Sequence, residues 1–265
     1  MDKPREWLRE KSIAKKILKN SDVVLEVIDA RIPFDTRNKV VEQLAKDWNK
    51  NLIIIMNKAD LVPKDFLQKV KKEIEKEYPV VVFSAHKNIG VKELMNILKN
   101  LASKKGLIKV GVLGYPNVGK SSVINALKKK KVATTSPKPG MTRGEKLIKL
   151  ANNIFLMDTP GIITLEFQED LAVKGSWIPE KLEQPVEIAM KLLEKIIKNT
   201  PEAIKQAYGV ESSEDVLQTL EKIGERLNYK ISGGEIDYER TAKKILWDWI
   251  KGHIKAYWGK EEQNS

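Results

Sequence analysis

Gly114-Tyr115-Pro116-Asn117-Val118-Gly119-Lys120-Ser121 follows the apolar run Ile108–Leu113 and opens a helical pattern that starts at Lys120. The spacing G-x-x-x-x-G-K-[ST] between a strand and a helix is the phosphate-loop arrangement. Its glycines let backbone N–H groups turn inward around phosphate oxygens. Lys120 neutralises the β/γ oxygens, and Ser121, followed by Ser122, supplies a hard oxygen for Mg²⁺. The stretch implies a nucleoside triphosphate and a parallel sheet whose strands deliver loops to one edge.

Upstream, Asp22–Ile28, Leu52–Met56 and Val80–Phe83 are short runs of Val, Ile and Leu without polar alternation, as in strands buried on both faces. Helical patterns over 37–49, 64–77 and 90–101 separate them, which predicts a mostly parallel sheet with helices on both faces. Downstream, Glu145–Leu150 and Asn153–Met157 meet across the turn formers Ala151-Asn152-Asn153, as in an antiparallel edge hairpin. A basic helix over 3–19 precedes the first strand, with Trp7, Ile13, Ile17 and Leu18 as its apolar stripe. Beyond about residue 165 the strand signal stops. Helices are expected at Pro185–Asn199, after Thr200-Pro201-Glu202 with the Thr200 hydroxyl as its cap, at Asp215–Leu227 and at Arg240–Trp258. The expected architecture is α/β over 1–165 plus a small all-helical domain over 166–265.

Two further motifs stand at strand ends. Asn57-Lys58-Ala59-Asp60 follows Leu52–Met56, and Ser84-Ala85 follows Val80–Phe83. A carboxylate at Asp60 accepts both N–H donors of the guanine Watson–Crick edge, Asn57 suits the Hoogsteen edge, and the Ser84-Ala85 backbone suits guanine O6. Adenine lacks that donor pair and would leave a carboxylate unsatisfied. Asp158-Thr-Pro-Gly161 closes the hairpin strand. There Asp158 would steady Mg²⁺ through water and the Gly161 N–H would read the γ-phosphate. Thr142, with Thr134 and Thr135 as rivals, is the candidate switch hydroxyl for Mg²⁺.

Composition narrows the classes. The 265 residues include no Cys and two His, which excludes disulfide scaffolds and thiolate metal centres. No apolar run approaches a bilayer span and the N-terminus lacks a signal-peptide core, so a soluble cytoplasmic protein without stable membrane association is expected. Of the net charge of +12, residues 165–265 carry 15 basic and 19 acidic groups, so residues 1–164 carry +16. A polyanionic partner explains that asymmetry, and so does a charged surface suited to high temperature.

The motif order is unusual: NKAD and SA precede the phosphate loop, Thr142 and DTPG. On these residues the chain resembles the circularly permuted GTPases, in the YlqF/YawG group that includes the bacterial ribosome biogenesis GTPase A. Asp29-Ala-Arg31 with Pro33 and Thr36-Arg-Asn38 is similar to that group's DAR segment. Leu171–Gly175 and Tyr229–Tyr238, with Ser232-Gly-Gly234, are similar to its C-terminal domain. The resemblance implies GTP hydrolysis to GDP, a nucleotide switch and binding to the large ribosomal subunit and its rRNA during assembly. A monomer suits such a docking switch. A regulatory GTPase with a protein or membrane-associated partner is the alternative.

Lys120, Thr142, Gly161 and Asn117 are the expected catalytic residues. Ile162 stands where signalling GTPases carry a water-orienting Gln, and no His lies in the N-terminal stretch, so hydrolysis by the chain alone should be slow. Asn117 matches the loop Asn of potassium-dependent GTPases and is a candidate K⁺ ligand, or it caps a turn. The segment after DTPG leads into the C-terminal domain, which is therefore expected to report the nucleotide state. Lys11, Lys15, Lys16, Lys19 and Lys128–Lys131 are basic surface. Arg240, Lys244, Trp247, Lys251 and Lys255 form a candidate RNA stripe on the last helix, or a solvated face with Trp247 at the core edge.

Overall fold

The computed structural model describes residues 12, 14–129, 147–157, 174–176 and 178–260. The chain divides into two compact units, Met1–Leu165 and Glu166–Ser265.

The first unit is built on six strands: β1 (Val23–Asp29), β2 (Asn51–Asn57), β3 (Val80–Val82), β4 (Ile108–Leu113), β5 (Leu147–Ala151) and β6 (Ile154–Met157). They lie in the order β3-β2-β1-β4-β6-β5. All neighbours run parallel except β5 and β6, which form the expected hairpin around Asn152-Asn153. β1 and β4 pair directly, Val23 against Val110, although 87 residues separate them. Strand order reverses at this pair, and loops from its carboxyl ends open onto one crevice.

Because successive side chains point to opposite faces, β1 and β2 each feed two apolar layers. Val24, Ile28, Leu52, Ile54 and Met56 pack with Ile17 and Leu18 of helix 14–20, with Val41 and Ala45 of helix Lys39–Asp47, and with Leu67, Val70 and Ile74 of helix Lys64–Ile74. The alternate residues Val23, Leu25, Val27, Ile53 and Ile55 are equally buried. Helix Val91–Lys105 packs on β4 and β6 and meets helix Lys120–Lys129.

One charged residue interrupts this core. Glu26, mid-way along β1, is fully buried. Its Oε1 accepts the Asn38 N–H at 2.6 Å, which ties the strand to the cap of helix Lys39–Asp47. Burial, reinforced by nearby Glu42, pushes its carboxyl up to about 8. Arg37 bridges Glu42 at 2.6 and 2.7 Å and Glu77 at 3.2 and 2.9 Å, closing the network.

In the second unit the described residues include helices Pro185–Asn199, Glu202–Tyr208, Val216–Arg226 and Tyr238–Lys251. Leu192, Leu193, Ile196, Leu220, Ile223, Ile245 and Trp249 are buried. Asp215 caps its helix by accepting the Leu217 and Gln218 N–H groups. Two expectations fail here. The last helix stops at Lys251 rather than Trp258, because Gly252 takes a left-handed conformation (φ 79°) and its N–H bonds back to the last turn. His253 and Lys255 therefore lie beyond the helix, in a segment that buries alternate residues Ile254, Ala256 and Trp258. The Thr200 hydroxyl does not cap helix Glu202–Tyr208. It donates to the Tyr257 carbonyl at 2.8 Å and accepts the Tyr257 N–H, pinning that returning segment.

Candidate nucleotide site

The carboxyl ends of β1, β2, β3 and β4 carry, in that order, Asp29-Ala-Arg31, Asn57–Asp60, Phe83–Ala85 and Gly114–Gly119. The parallel sheet thus brings four loops to one edge, although up to 90 residues of chain separate them.

The phosphate loop has the backbone its sequence demands. Gly114 has φ 146°, and a Cβ there would lie 2.3 Å from the Val27 carbonyl oxygen. Gly119 has φ 98°, and a Cβ would strike Asn57 Nδ2 at 2.2 Å. Tyr115 and Val118 are buried beneath the loop, while Pro116 is half-buried. Asn117 is exposed at the tip with φ 59°, a conformation Asn adopts at little cost, so the turn alone accounts for its residue type. Lys120 opens the helix, and its Nζ donates to the Tyr115 carbonyl at 2.6 Å. Burial lowers its ammonium to about 8. A charge folded back onto its own loop and short of solvent is poised for an anion.

Asn57 joins the loops. Its Nδ2 donates to the Val118 carbonyl at 2.9 Å, and its Oδ1 accepts the Ala85 N–H at 3.3 Å. The buried amide is therefore engaged by protein on both sides, between the phosphate loop and the loop after β3. Asp60 is exposed, with one carboxylate oxygen accepting from the Ser84 hydroxyl at 2.6 Å. Ser84 also accepts the Lys87 N–H at 3.0 Å, which fixes that turn.

Sequence reasoning missed the anchor of Lys58. Outside glycine, positive φ among the described residues belongs to five asparagines and Lys58 (φ 62°). A lysine has no short polar group to ease that conformation, which costs about 1–2 kcal/mol. Asp29 supplies the compensation: its Oδ2 receives Lys58 Nζ at 2.8 Å and Arg31 Nη2 at 2.8 Å, while Oδ1 receives Arg31 Nε at 3.1 Å. Burial would raise the Asp29 carboxyl, but Arg31 and then Lys58 outweigh it and hold it well below the usual carboxylate range. Burial pulls the Lys58 ammonium down against the opposing pull of Asp29. The DAR segment is thus the footing of the NKAD loop. Only the two motifs' positions at neighbouring strand ends hinted at this.

For Mg²⁺, Ser121 stands exposed on the first turn of the helix, beside Lys120 and above a cradle too tight for any Cβ. That hard oxygen fits the ion with its phosphates. Thr142, Thr134, Thr135, Asp158, Gly161 and Ile162 lie outside the described residues, as do Trp7, Lys11, Lys130, Lys131 and Leu171–Val173.

On the last helix, Arg240, Lys244, Trp247 and Lys251 share one face, and Lys255 does not. The Arg240 guanidinium lies 4.0 Å from the Tyr229 ring centre, and Lys251 Nζ lies 5.2 Å from the Trp247 ring centre. Lys244 is paired with Asp248 at 2.5 Å, and Trp247 Nε1 donates to Glu180 at 2.7 Å. These pairings partly neutralise the stripe.

The chain matches the family described as "50S ribosome-binding GTPase" over residues 109–227, and "Elongation factor Tu GTP binding domain" over residues 10–104. An uncharacterized GTP-binding protein of Methanocaldococcus jannaschii is 43% identical over 251 residues, covering 93% of this chain and 66% of that protein. Nucleolar GTP-binding protein 2 of Cryptococcus neoformans var. grubii is 39% identical over 91% of this chain and 37% of its own length. Nuclear/nucleolar GTPase 2 of Arabidopsis thaliana is 37% identical over 91% and 43%. The chain thus spans at most about two thirds of these relatives. The crystal structure of GNP-bound YlqF from T. maritima superposes with a TM-score of 0.69 at 28% identity, covering 95% of this chain and 98% of that one. A GDP-bound YlqF structure gives 0.67 at 26% identity. With the NKAD and SA loops ahead of the phosphate loop in sequence and beside it in space, the chain belongs to the circularly permuted GTPases, in the group of YlqF.

Proposed function

We propose that this protein binds GTP, hydrolyses it to GDP and phosphate, and acts as a nucleotide switch in assembly of the large ribosomal subunit. The observation that carries the nucleotide reading is Asn57, whose one amide ties the phosphate loop to the base-reading loop. Asp60, exposed at the strand end, reads the guanine Watson–Crick edge, Ser84-Ala85 lies against O6, and Lys58 flanks the base. N–H groups of Gly114–Lys120 hold the phosphates, where Lys120 regains its full charge. Mg²⁺, when bound, offsets charge on the β and γ oxygens, with Ser121, Thr142 and Asp158 through water as its protein partners. Gly161 reads the γ-phosphate, and Asn117 takes K⁺, which supplies the charge that an arginine finger supplies elsewhere.

Residues 1–165 form the GTPase domain. Residues 166–265 form an all-helical domain that reports the nucleotide state and meets rRNA through Arg240, Lys244, Trp247 and Lys251. Lys255 follows on the returning segment. The names of the nucleolar relatives and of the 50S-binding family support a ribosomal partner. No helix among the described residues is long and apolar enough to cross a membrane. The working compartment follows the assembling subunit, cytoplasm without a nucleus and nucleolus with one. The protein works as a monomer.

The test is GTP hydrolysis with and without purified large subunits, in KCl and in NaCl. Subunits should stimulate at least tenfold, and KCl should exceed NaCl in the wild type but not in Asn117→Ala. Guanine binding without subunit stimulation would remove the ribosomal role, and equal rates in the two salts would remove the K⁺ role. Asp60→Asn should weaken GTP by roughly a hundredfold or more and favour xanthosine triphosphate, since the lost acceptor leaves guanine donors unpaired.

A further inference from the structure

An open groove of about 660 Å³ lies in the first unit, lined by Lys15, Lys16, Lys19, Asn20 and Trp48. It sits at the amino edge of the sheet. Helix 14–20 ends just before β1, and Trp48 follows helix Lys39–Asp47 just before β2. The nucleotide loops occupy the opposite edge.

Three features give the groove a chemistry. Trp48 is 38% exposed and is the one exposed tryptophan among the described residues. Its place is rigid, because its N–H caps the helix by bonding the Leu44 and Lys46 carbonyls and the next residue, Asn49, turns left-handed (φ 49°). Lys15, Lys16 and Lys19 are exposed on one helical face, and no ion pair among the described residues engages any of them. Among the described residues, the carboxylates flanking Trp48 and Lys19 in sequence hold other partners: Asp47 accepts from Gln43 at 2.7 Å, and Asp22 accepts the Lys109 N–H at 2.8 Å. Lys50 donates its ammonium to the Lys19 and Ser21 carbonyls at 3.2 and 2.9 Å, adding a further positive charge where the helix ends. A solvated lysine face needs no fixed aromatic beside it, and an apolar contact patch would not be ringed by unpaired ammonium groups.

We infer that this groove binds a short single-stranded RNA segment, one unpaired base stacking on Trp48 while Lys15, Lys16 and Lys19 take the flanking phosphates. Flat aromatic surface recognises bases that are splayed out of a helix, and lysines track the backbone. A duplex offers its phosphates but no free base face to Trp48. The inference rests on the ribosomal reading above and adds a second RNA contact on the GTPase domain, across the sheet from the nucleotide.

The test titrates the full chain into a labelled ten-nucleotide single-stranded RNA and a duplex of the same sequence, at several KCl concentrations. Trp48→Ala should weaken the single strand about tenfold and leave the duplex within twofold, and Trp48→Phe should restore most of the loss. Lys15→Glu/Lys16→Glu/Lys19→Glu should reduce the salt slope for the single strand by about 2, from three phosphate contacts. GDP affinity should stay unchanged in all three variants, which certifies the fold. Wild-type affinity for the single strand in both Trp48→Ala and the triple lysine variant overturns the inference, and so does equal loss of duplex and single strand in Trp48→Ala. Pelleting with large subunits separates the two readings. If the wild type fails to pellet, the ribosomal reading fails. If it pellets, and the groove variants pellet equally well while Lys251→Ala does not, the groove alone fails. Loss of pelleting with unchanged RNA affinity points to a protein partner and also overturns it.

Discussion

The two units keep their buried charge in different places. In the first, Asp29, Arg31, Arg37, Glu42 and Glu26 are buried, and their bonds join segments far apart in sequence. Lys58 reaches Asp29 across 29 residues, Arg37 reaches Glu77 across 40, and the neutral amide of Asn57 reaches Val118 across 61. In the second, the main buried carboxylate is Asp248, and two of its partners are local: Lys244 four residues before and His253 five after, with Tyr208 donating at 2.9 Å. Burial would raise the Asp248 carboxyl, but Lys244, His253 and Tyr208 hold it below its ordinary value. The second unit is closed instead by stacked rings, Trp249 and Trp258, 5.4 Å apart and 7° from parallel. Buried ion pairs are a weak source of stability but a strict one, since a charge left alone inside is very costly. The first unit uses that strictness to fix loop tips at the nucleotide edge.

Asp29→Ala should have the largest effect. It leaves Arg31 buried without its carboxylate and should cost about 3–5 kcal/mol, read by urea unfolding with hydrogen exchange assigned to first-unit amides. A loss under about 1 kcal/mol would break the comparison. Trp258→Ala should cost about 3 kcal/mol, with the faster exchange confined to residues 185–258. Spread of that effect into β1–β4 would show that the units are not independently held.

Glu26→Gln sharpens the contrast through pH. Folded Glu26 keeps its proton to about pH 8, whereas the unfolded group loses it near 4.5. The folded state therefore carries the extra proton between those values, and stability falls as pH rises through the window. Wild type should lose roughly 2 kcal/mol from this group between about pH 5.5 and 7.5, and Glu26→Gln should flatten that slope. A variant with the wild-type slope would show that Glu26 is ionised in the fold. Lys244→Ala should cost least, about 1 kcal/mol, because Lys244 is partly exposed and Asp248 keeps Tyr208 and His253 as partners. Its expected mark is weaker RNA binding instead, and unchanged affinity would remove it from the stripe.

Where a local pattern decides the structure, the sequence was legible. Strand Ile108–Leu113 and helix Pro185–Asn199 have the bounds their apolar patterns predict, and the edge hairpin turns at its asparagines. The helix expected over Arg240–Trp258 ends early, because Ile254, Ala256 and Trp258 are the buried residues of the segment that follows it. Their alternation is a period of two, and Gly252 just before them is a helix terminator. The phosphate loop, NKAD and SA were legible as motifs, but their wiring was not. Nothing local in Asn57-Lys58 says that the asparagine turns to Val118 and the lysine to Asp29, since both bonds exist only once β1, β2 and β4 lie side by side. Trp48 gave no motif at all. Its importance comes from exposure and from a helix that only folding brings near.

The strand order has a consequence for synthesis. On the ribosome, β1, β2 and β3 emerge as a consecutive parallel block, complete with the loops that carry Asp60 and Ser84. β1 is then an edge, and it stays one until β4, 87 residues behind it in register, has been made. A central strand of Val, Leu and Ile thereby keeps one edge unpaired until β4 is made, the kind of edge that recruits other chains. A nascent chain stalled before residue 108 would carry the NKAD and SA loops on a sheet with a bare edge, which the phosphate-loop strand closes when it arrives.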